Sequence, residues 1–367
     1  MVARLGGDEF MILLNERSSQ EETIVFKSQH IAEKVRGALS QPYTLEGHDI
    51  YISSSIGISL FPSGKEDASA LLKHADTAMY RAKADGGDVH RFYQPDMQKS
   101  ADARLSIEKD MRKAKDAGQL EVYYQPQILI SSGQIIGAEA LLRWKHPGRG
   151  FVSPVEFIPV AEETGLIIEI GEFVLKRVVD QVGVWREAGL LENFGAIAVN
   201  VSPVQFRQPN FVEMVVKILE DAALSPNLIK IEITESTIID SVEDVIVKMQ
   251  RIRKLGVHFS LDDFGTGYSS LNYLRRLPLD QLKIDRSFVQ GITRDASESA
   301  IVETIISMGH HLGMDVIAEG VETNEELAFL KAKGCNAYQG FLFSRPVPGQ
   351  DFEALLRLSK ADLEKHP

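Results

Sequence analysis

Ile229-Lys230-Ile231-Glu232-Ile233-Thr234-Glu235, the helix-length stretch Val242 to Leu255, and His258-Phe259-Ser260-Leu261-Asp262-Asp263 decide the fold. The two short runs are rich in apolar residues and read as strands; the segment between them reads as a helix. Strand, helix and strand within about 35 residues make a βαβ unit, whose two strands run parallel. Working outward, the pattern repeats. Val122-Tyr123-Tyr124-Gln125, Ile135 to Leu141 and Ala196 to Asn200 precede it, and Leu282 to Asp285, Val316 to Glu319 and Ala337 to Gly340 follow. Helical stretches Gly171 to Glu187, Phe211 to Ala222, Glu298 to Leu312 and Asn324 to Lys333 fall between. About eight alternations over about 240 residues predict an α/β fold, a TIM-like (β/α)8 barrel. Only Pro126 to Gln134 separates the first two runs, too little for a helical crossover, so these strands are expected to be antiparallel.

Three zones result. Residues 1–95 read as a small α+β piece, with strands at Phe10 to Leu14 and Tyr51 to Phe61 and helices at Ser28 to Leu39 and Ala68 to Lys83. Residues 96–118 read as a charged, solvated connecting helix that stops at Gly118, and residues 119–360 as the barrel.

A chain of 367 residues with 44% hydrophobic and 25% charged residues can build a sizeable core, which excludes wholesale disorder. Lys and Arg number 40 against 52 Asp and Glu, a formal charge of −12, so DNA, RNA and anionic lipid are poor partners. A phosphate compound would need a divalent cation to draw it in. The single cysteine, Cys335, excludes an internal disulfide framework and fits a reducing compartment. No run approaches the roughly 18 to 20 apolar residues of a membrane span, and the start lacks a signal-peptide pattern. A cytoplasmic chain is expected; an upstream tether or sensor in a longer parent is compatible with that.

Barrel active sites sit where strands end. Here run after run ends in or near a carboxylate or amide: Glu139, Asn200, Glu232, Asp262 with Asp263, Glu319 and Gln339. One such residue is explained by helix capping, but six around one mouth are not. Converging carboxylates raise one another's pKa values unless cations neutralise them. Oxygen-only donors select Mg²⁺ or Mn²⁺, and two such ions are the apparatus of in-line displacement at phosphorus. Lys283 could orient an attacking water, help deprotonate it, or balance transition-state charge.

The motifs Tyr124-Gln125-Pro126, Glu139-Ala140-Leu141-Leu142-Arg143-Trp144, Asn200-Val201-Ser202 and Glu232-Ile233-Thr234-Glu235-Ser236 stand in one order with four more. These are Asp262-Asp263-Phe264-Gly265-Thr266-Gly267, Lys283-Ile284-Asp285, Ala318-Glu319-Gly320-Val321-Glu322 and Gln339-Gly340-Phe341. Together, over roughly residues 105 to 357, they resemble the EAL-domain cyclic di-GMP phosphodiesterases. The resemblance implies that Glu139, Asn200, Glu232, Asp262, Asp263 and Glu319 hold two Mg²⁺ or Mn²⁺ ions. It makes Lys283, Glu139 and Glu322 catalytic, with Lys283 contacting the nucleophilic water and Glu322 supporting the site from nearby. Arg143 would grip a phosphate, Gln125 and Gln339 would line the pocket, and Glu235 would anchor the loop 263–272. The implied reaction is hydrolysis of cyclic di-GMP to linear pGpG by a homodimer; the alternative is a receptor that binds without hydrolysing and signals to a protein partner. Gly6-Gly7-Asp8-Glu9-Phe10, Ser55 to Ser59 and Ala75 to Lys83 are similar to the second half of a GGDEF diguanylate cyclase domain. Gly86-Gly87-Asp88 departs from that family's usual Gly-Arg-Asn ending, and with the family's first half not in the chain no cyclisation is expected.

Simpler readings compete at single positions. A Schiff-base Lys283 in an aldolase-like barrel would not need so many carboxylates. Asp263-Phe264-Gly265 matches a kinase tripeptide without the glycine-rich loop or His-Arg-Asp that accompany it. His310 and His311 are neighbours on a helix outside the barrel and point apart. Cys335 reads as a core thiol, and the Gly6-Gly7 segment as a hairpin turn.

Overall fold

A computed structural model describes residues 1–14, 21–45, 48–60, 67–94, 106–192, 194–239, 242–265 and 274–365. The chain divides into two compact units, Met1–Ile107 and Glu108–Pro367.

The first unit pairs β1 (Val2–Gly6) with β2 (Glu9–Ile12) and β3 (Tyr43–Leu45) with β4 (His48–Ile50), both antiparallel. β5 (Ile56–Ile58) and β6 (His90–Phe92) pair in parallel, and helices cover Glu21–Leu39 and Ala68–Ala84. Gly7 turns the first hairpin with φ +52°, a conformation glycine adopts without a Cβ penalty. The strand expected from Tyr51 shrinks to Ile56–Ile58, where β6 supplies a ladder; Phe61 lies outside the described residues. A Cβ on Gly57 would meet the Ala75 carbonyl oxygen at 1.9 Å, so the second helix packs directly on β5.

The second unit contains β7 (Leu120–Leu129), β8 (Ile135–His146), β9 (Gly150–Val152), β10 (Ile197–Asn200) and β11 (Ile229–Thr234). It continues with β12 (His258–Phe264), β13 (Gln281–Ile284), β14 (Asp315–Ala318), β15 (Ala337–Tyr338) and β16 (Val347–Pro348). Strands β7, β8 and β10 to β15 close into a ring of eight, while β9 and β16 extend its rim. From β8 round to β15 neighbours are parallel; β7 alone is reversed, antiparallel to both β8 and β15. This is the expected (β/α)8 barrel with its antiparallel start.

Register carries the chemistry. Glu139 stands beside Ala198, Asn200 beside Glu232, Thr234 beside Asp262, and Lys283 beside Ile317. Strand alternation then sends Ile229, Ile231 and Ile233 outward against the helices, and Lys230 and Glu232 into the barrel.

Two expectations change. The helix expected from Gly171 begins at Leu166 and is preceded by another, Pro154–Glu163. Gly171 sits inside it because the Gln205 amide occupies that side: a Cβ would lie 1.5 Å from Gln205 Nε2. The connecting helix is described only over 106–114, and Met111 and Ala114 on it are buried. Their spacing forms an apolar face, while Asp110 reaches His146 at 3.4 Å and Lys115 reaches Glu169 at 3.3 Å, so the stretch is docked rather than solvated. The chain leaves it through Gly118, φ +65°. Residues 96–105 of the expected helix lie outside the described residues.

The last helix, Gly349–Lys365, lays Phe352 against Tyr124 and Trp185 at centroid distances of 5.9 and 5.0 Å. Both tryptophans of the chain, Trp144 and Trp185, are fully buried in this unit, so intrinsic fluorescence reports barrel unfolding alone. Phe352→Ala is expected to lower barrel stability by about 3–5 kcal/mol in urea titrations followed by that fluorescence. A shift below about 1 kcal/mol would show that the helix is not part of the barrel's cooperative core.

Candidate metal centre

The barrel mouth is organised around one buried cation. Lys283 projects from β13 with no exposed surface. Its Nζ donates to Glu232 Oε2 at 2.8 Å and lies 2.6 Å from Glu319 Oε1, 3.2 Å from Asp262 Oδ1 and 3.5 Å from Glu139 Oε2. Four strands, β8, β11, β12 and β13, and the residue following β14 therefore bring their groups to one point. Glu139 is a correction to the expectation that these residues end their strands. It lies inside β8, which runs on to His146 because β7 and β9 extend the ladder beyond the barrel.

Glu139 is also held by amides. Asn200 Nδ2 donates to its Oε1 and Gln339 Nε2 to its Oε2, both at 2.6 Å, and Gln339 Nε2 also donates to Gln125 Oε1 at 3.0 Å. Burial works against ionising Glu139, but Lys283 and these donors outweigh it and hold the carboxyl below the ordinary range. The other acids go the opposite way. Burial, with Glu139 and Asp262 adding, pushes Glu232 up to about 8, and drives Glu319 well above its usual value. Despite its own burial Lys283 is held well above the usual lysine range by the four carboxylates. This direction favours the protonated lysine, suited to orientation and charge balance.

Four carboxylates facing one ammonium leave an excess of negative charge. Carboxylate oxygens of Glu139, Glu232 and Asp262 all lie within 4.8 Å of one another. Glu232 Oε1 is buried and has no hydrogen-bond partner among the described residues. An orphaned buried oxygen inside an all-oxygen donor set fits a hard divalent cation, Mg²⁺ or Mn²⁺, for which Asn200 adds an amide oxygen.

Consecutive side chains of a regular strand point to opposite faces, yet both Asp262 and Asp263 are expected at the mouth. The register of β12 against β13 slips between Leu261 and Phe264, and Asp263 takes φ +54°. This bulge breaks the alternation at a functional strand end. Asp262 Oδ1 accepts from the Asp263 amide at 2.9 Å. Asp263 itself is exposed, and its carboxyl is pushed up to about 6 by partial burial and by Asp262 and Asp285. Lys283 works against that rise.

Glu235 Oε1 accepts from the Gly265 amide at 3.0 Å; residues 266–273 of the loop it is expected to anchor lie outside the described residues. Gly265 has φ +100°, and a Cβ there would press on the Phe288 ring at 3.0 Å. Arg143 is half-buried on β8, with its guanidinium 5.8 Å from the Tyr123 ring centroid and Nη1 donating to the Leu142 carbonyl. Glu322 is exposed; among the described residues no hydrogen bond or ion pair ties its carboxylate to the Lys283 cluster. Outside the site, His310 bonds Asn336 at 2.9 Å and His311 the Ser307 carbonyl at 2.6 Å, and burial pushes the Cys335 thiol up to about 12. Sequence reasoning missed Gln127, which is 1% exposed and bonds Gln339. The signal was its spacing of two from Gln125, which places both on one face of the strand.

Residues 108–346 match the EAL domain, and residues 1–89 match the diguanylate cyclase GGDEF domain. The chain belongs to the EAL domain family. It is 41% identical over 353 residues to the bifunctional diguanylate cyclase/cyclic di-GMP phosphodiesterase MucR of Pseudomonas aeruginosa, covering 96% of this chain and 50% of that protein. It is 38% identical over 362 residues to the cyclic di-GMP phosphodiesterase NbdA of the same organism, covering 99% and 45%. The chain thus spans about half the length of the curated relatives it matches. A solved structure described as the PaMucR phosphodiesterase, c-di-GMP complex, is 42% identical with a TM-score of 0.65, covering 67% of this chain and 99% of that one.

Removing the cation at the centre of this cluster should be costly. Lys283→Met is expected to destabilise the barrel by about 3–5 kcal/mol in EDTA, read as a lower urea midpoint of tryptophan fluorescence. An unchanged midpoint would mean that the carboxylates do not depend on Lys283.

Proposed function

We propose that the barrel hydrolyses cyclic di-GMP to linear pGpG, using divalent cations held by Glu139, Asn200, Glu232, Asp262, Asp263 and Glu319. The observation that carries this reading is the fully buried Lys283 among four carboxylates, with Glu232 Oε1 left without a partner. The cyclic di-GMP phosphodiesterase activities for which MucR and NbdA are named support the substrate. Mg²⁺ or Mn²⁺, two per site, would supply Lewis acidity and a water acidic enough to attack phosphorus near neutral pH.

The chain's own residues do the rest. Lys283 keeps the acids converged and opposes the charge that grows on the phosphoryl oxygens. Asn200 and Gln339 fix the Glu139 carboxylate from two sides and keep it ionised. Arg143 offers a planar donor pair to a substrate phosphate, and Gln125 and Gln339 line the pocket. Glu235 holds the first turn of the loop that follows Asp263, and Glu322 supports the site from the rim. In the net reaction water adds across one P–O bond and opens the ring. The homodimer and the three zones, 1–95, 96–118 and 119–360, belong to the same reading. So does an amino-terminal unit that does not cyclise, where Asp88 departs from the family's usual Asn. Among the described residues no helix is long and apolar enough to cross a membrane.

Chromatography of cyclic di-GMP incubated with the protein should show pGpG with Mg²⁺ and none with EDTA. Tight binding without product in Mg²⁺ and Mn²⁺ would instead make the protein a receptor. Glu139→Ala and Asp262→Ala should each cost orders of magnitude in turnover; near-normal rates would remove them from the site. Ca²⁺ should support binding better than catalysis, because its longer, looser coordination positions water poorly. Equal turnover in Ca²⁺ and Mg²⁺ would contradict that.

A further inference from the structure

Glu139 lies at one end of a chain of buried amides, of which Gln125 and Gln339 belong to the quoted motifs and Gln127 does not. Gln127 lies on β7 opposite Gly137 of β8. Its Nε2 donates to Gln339 Oε1 at 3.2 Å. Gln339 in turn uses its Nε2 on Glu139 Oε2 at 2.6 Å and on Gln125 Oε1 at 3.0 Å. Gln125 Nε2 ends the chain on the Ser344 carbonyl at 3.2 Å.

A side-chain amide has one donor end and one acceptor end, so each link dictates the next. Turned over, Gln339 would set its oxygen against Glu139 Oε2 and Gln125 Oε1, two acceptors, and its NH₂ against the NH₂ of Gln127. What forbids this at the far end is the Gln127 donor. Space for that amide depends on Gly137, where a Cβ would meet Gln127 Oε1 at 3.2 Å and the Ala196 carbonyl oxygen at 2.6 Å. We propose that Gln127 is a positioning residue: it fixes the orientation of the Gln339 amide and, through it, presents Glu139 to the metal as an oriented ligand. The proposal rests on the reading of Glu139 as a metal ligand. Partners beyond the ligands themselves commonly control affinity in this way.

The test is calorimetric titration of Mn²⁺ into the full chain, wild type against Gln127→Met, Gln339→Met and the double variant, with kcat and KM for cyclic di-GMP measured alongside. Gln127→Met keeps the volume and removes the donor. It should weaken Mn²⁺ binding about tenfold and lower kcat while leaving KM nearly unchanged. Gln339→Met should lose at least as much. The double variant should match Gln339→Met within about twofold, since Gln127 then has nothing to act through. Wild-type Mn²⁺ affinity in Gln127→Met, or a double variant whose loss is the product of the two single losses, would overturn the proposal. A wild-type chain that takes up no Mn²⁺ would strike the metal reading itself, an outcome distinct from these.

Discussion

A fully buried ammonium surrounded by four carboxylates is the constraint on which this barrel mouth depends. Neither sign is stable there alone: desolvating a lone charge costs several kcal/mol, and converging acids repel. Burial, with the neighbouring acids adding, pushes Glu232 and Glu319 up and Lys283 offsets this only partly, while Glu139, given amide donors as well, is held down. The residual demand for positive charge is the physical basis of the proposed divalent-cation site in a chain whose overall charge would repel a phosphate ester.

The fold delivers these groups through register. Parallel strands β8 to β15 set their inward residues at one level, and the reversed β7 adds Gln125 and Gln127 from the opposite chain direction. One irregularity is essential. The slip of β12 at Asp262 and Asp263 places a left-handed residue where the loop departs, and Glu235 catches the Gly265 amide just beyond it. Strain at the strand end is thus tied down by a neighbouring strand's helix.

Much of this is legible in the residues. Alternating apolar runs and helix-length segments mark the barrel, and the nine residues between the first two runs mark the antiparallel start. Acids near successive strand ends mark the mouth, because a capping role does not explain so many at once. What escaped is set by tertiary contact. Gly171 reads as a helix start because glycine is a poor helix former, yet it is helical to leave room for Gln205. The charged linker reads as solvated because the buried face at Met111 and Ala114 is narrow. The bulge at Asp263 leaves no trace in composition, and Gln127 carries no chemistry of its own, so its part emerges only from its hydrogen bond to Gln339.

The central claim, that the Lys283 ring is a divalent-cation site, is tested most directly by anomalous diffraction from crystals grown with Mn²⁺. The account predicts anomalous peaks bounded by Glu139, Glu232, Asp262 and Glu319, with Glu232 Oε1 now coordinated. A ring without peaks while Mn²⁺ is bound elsewhere on the chain would contradict it.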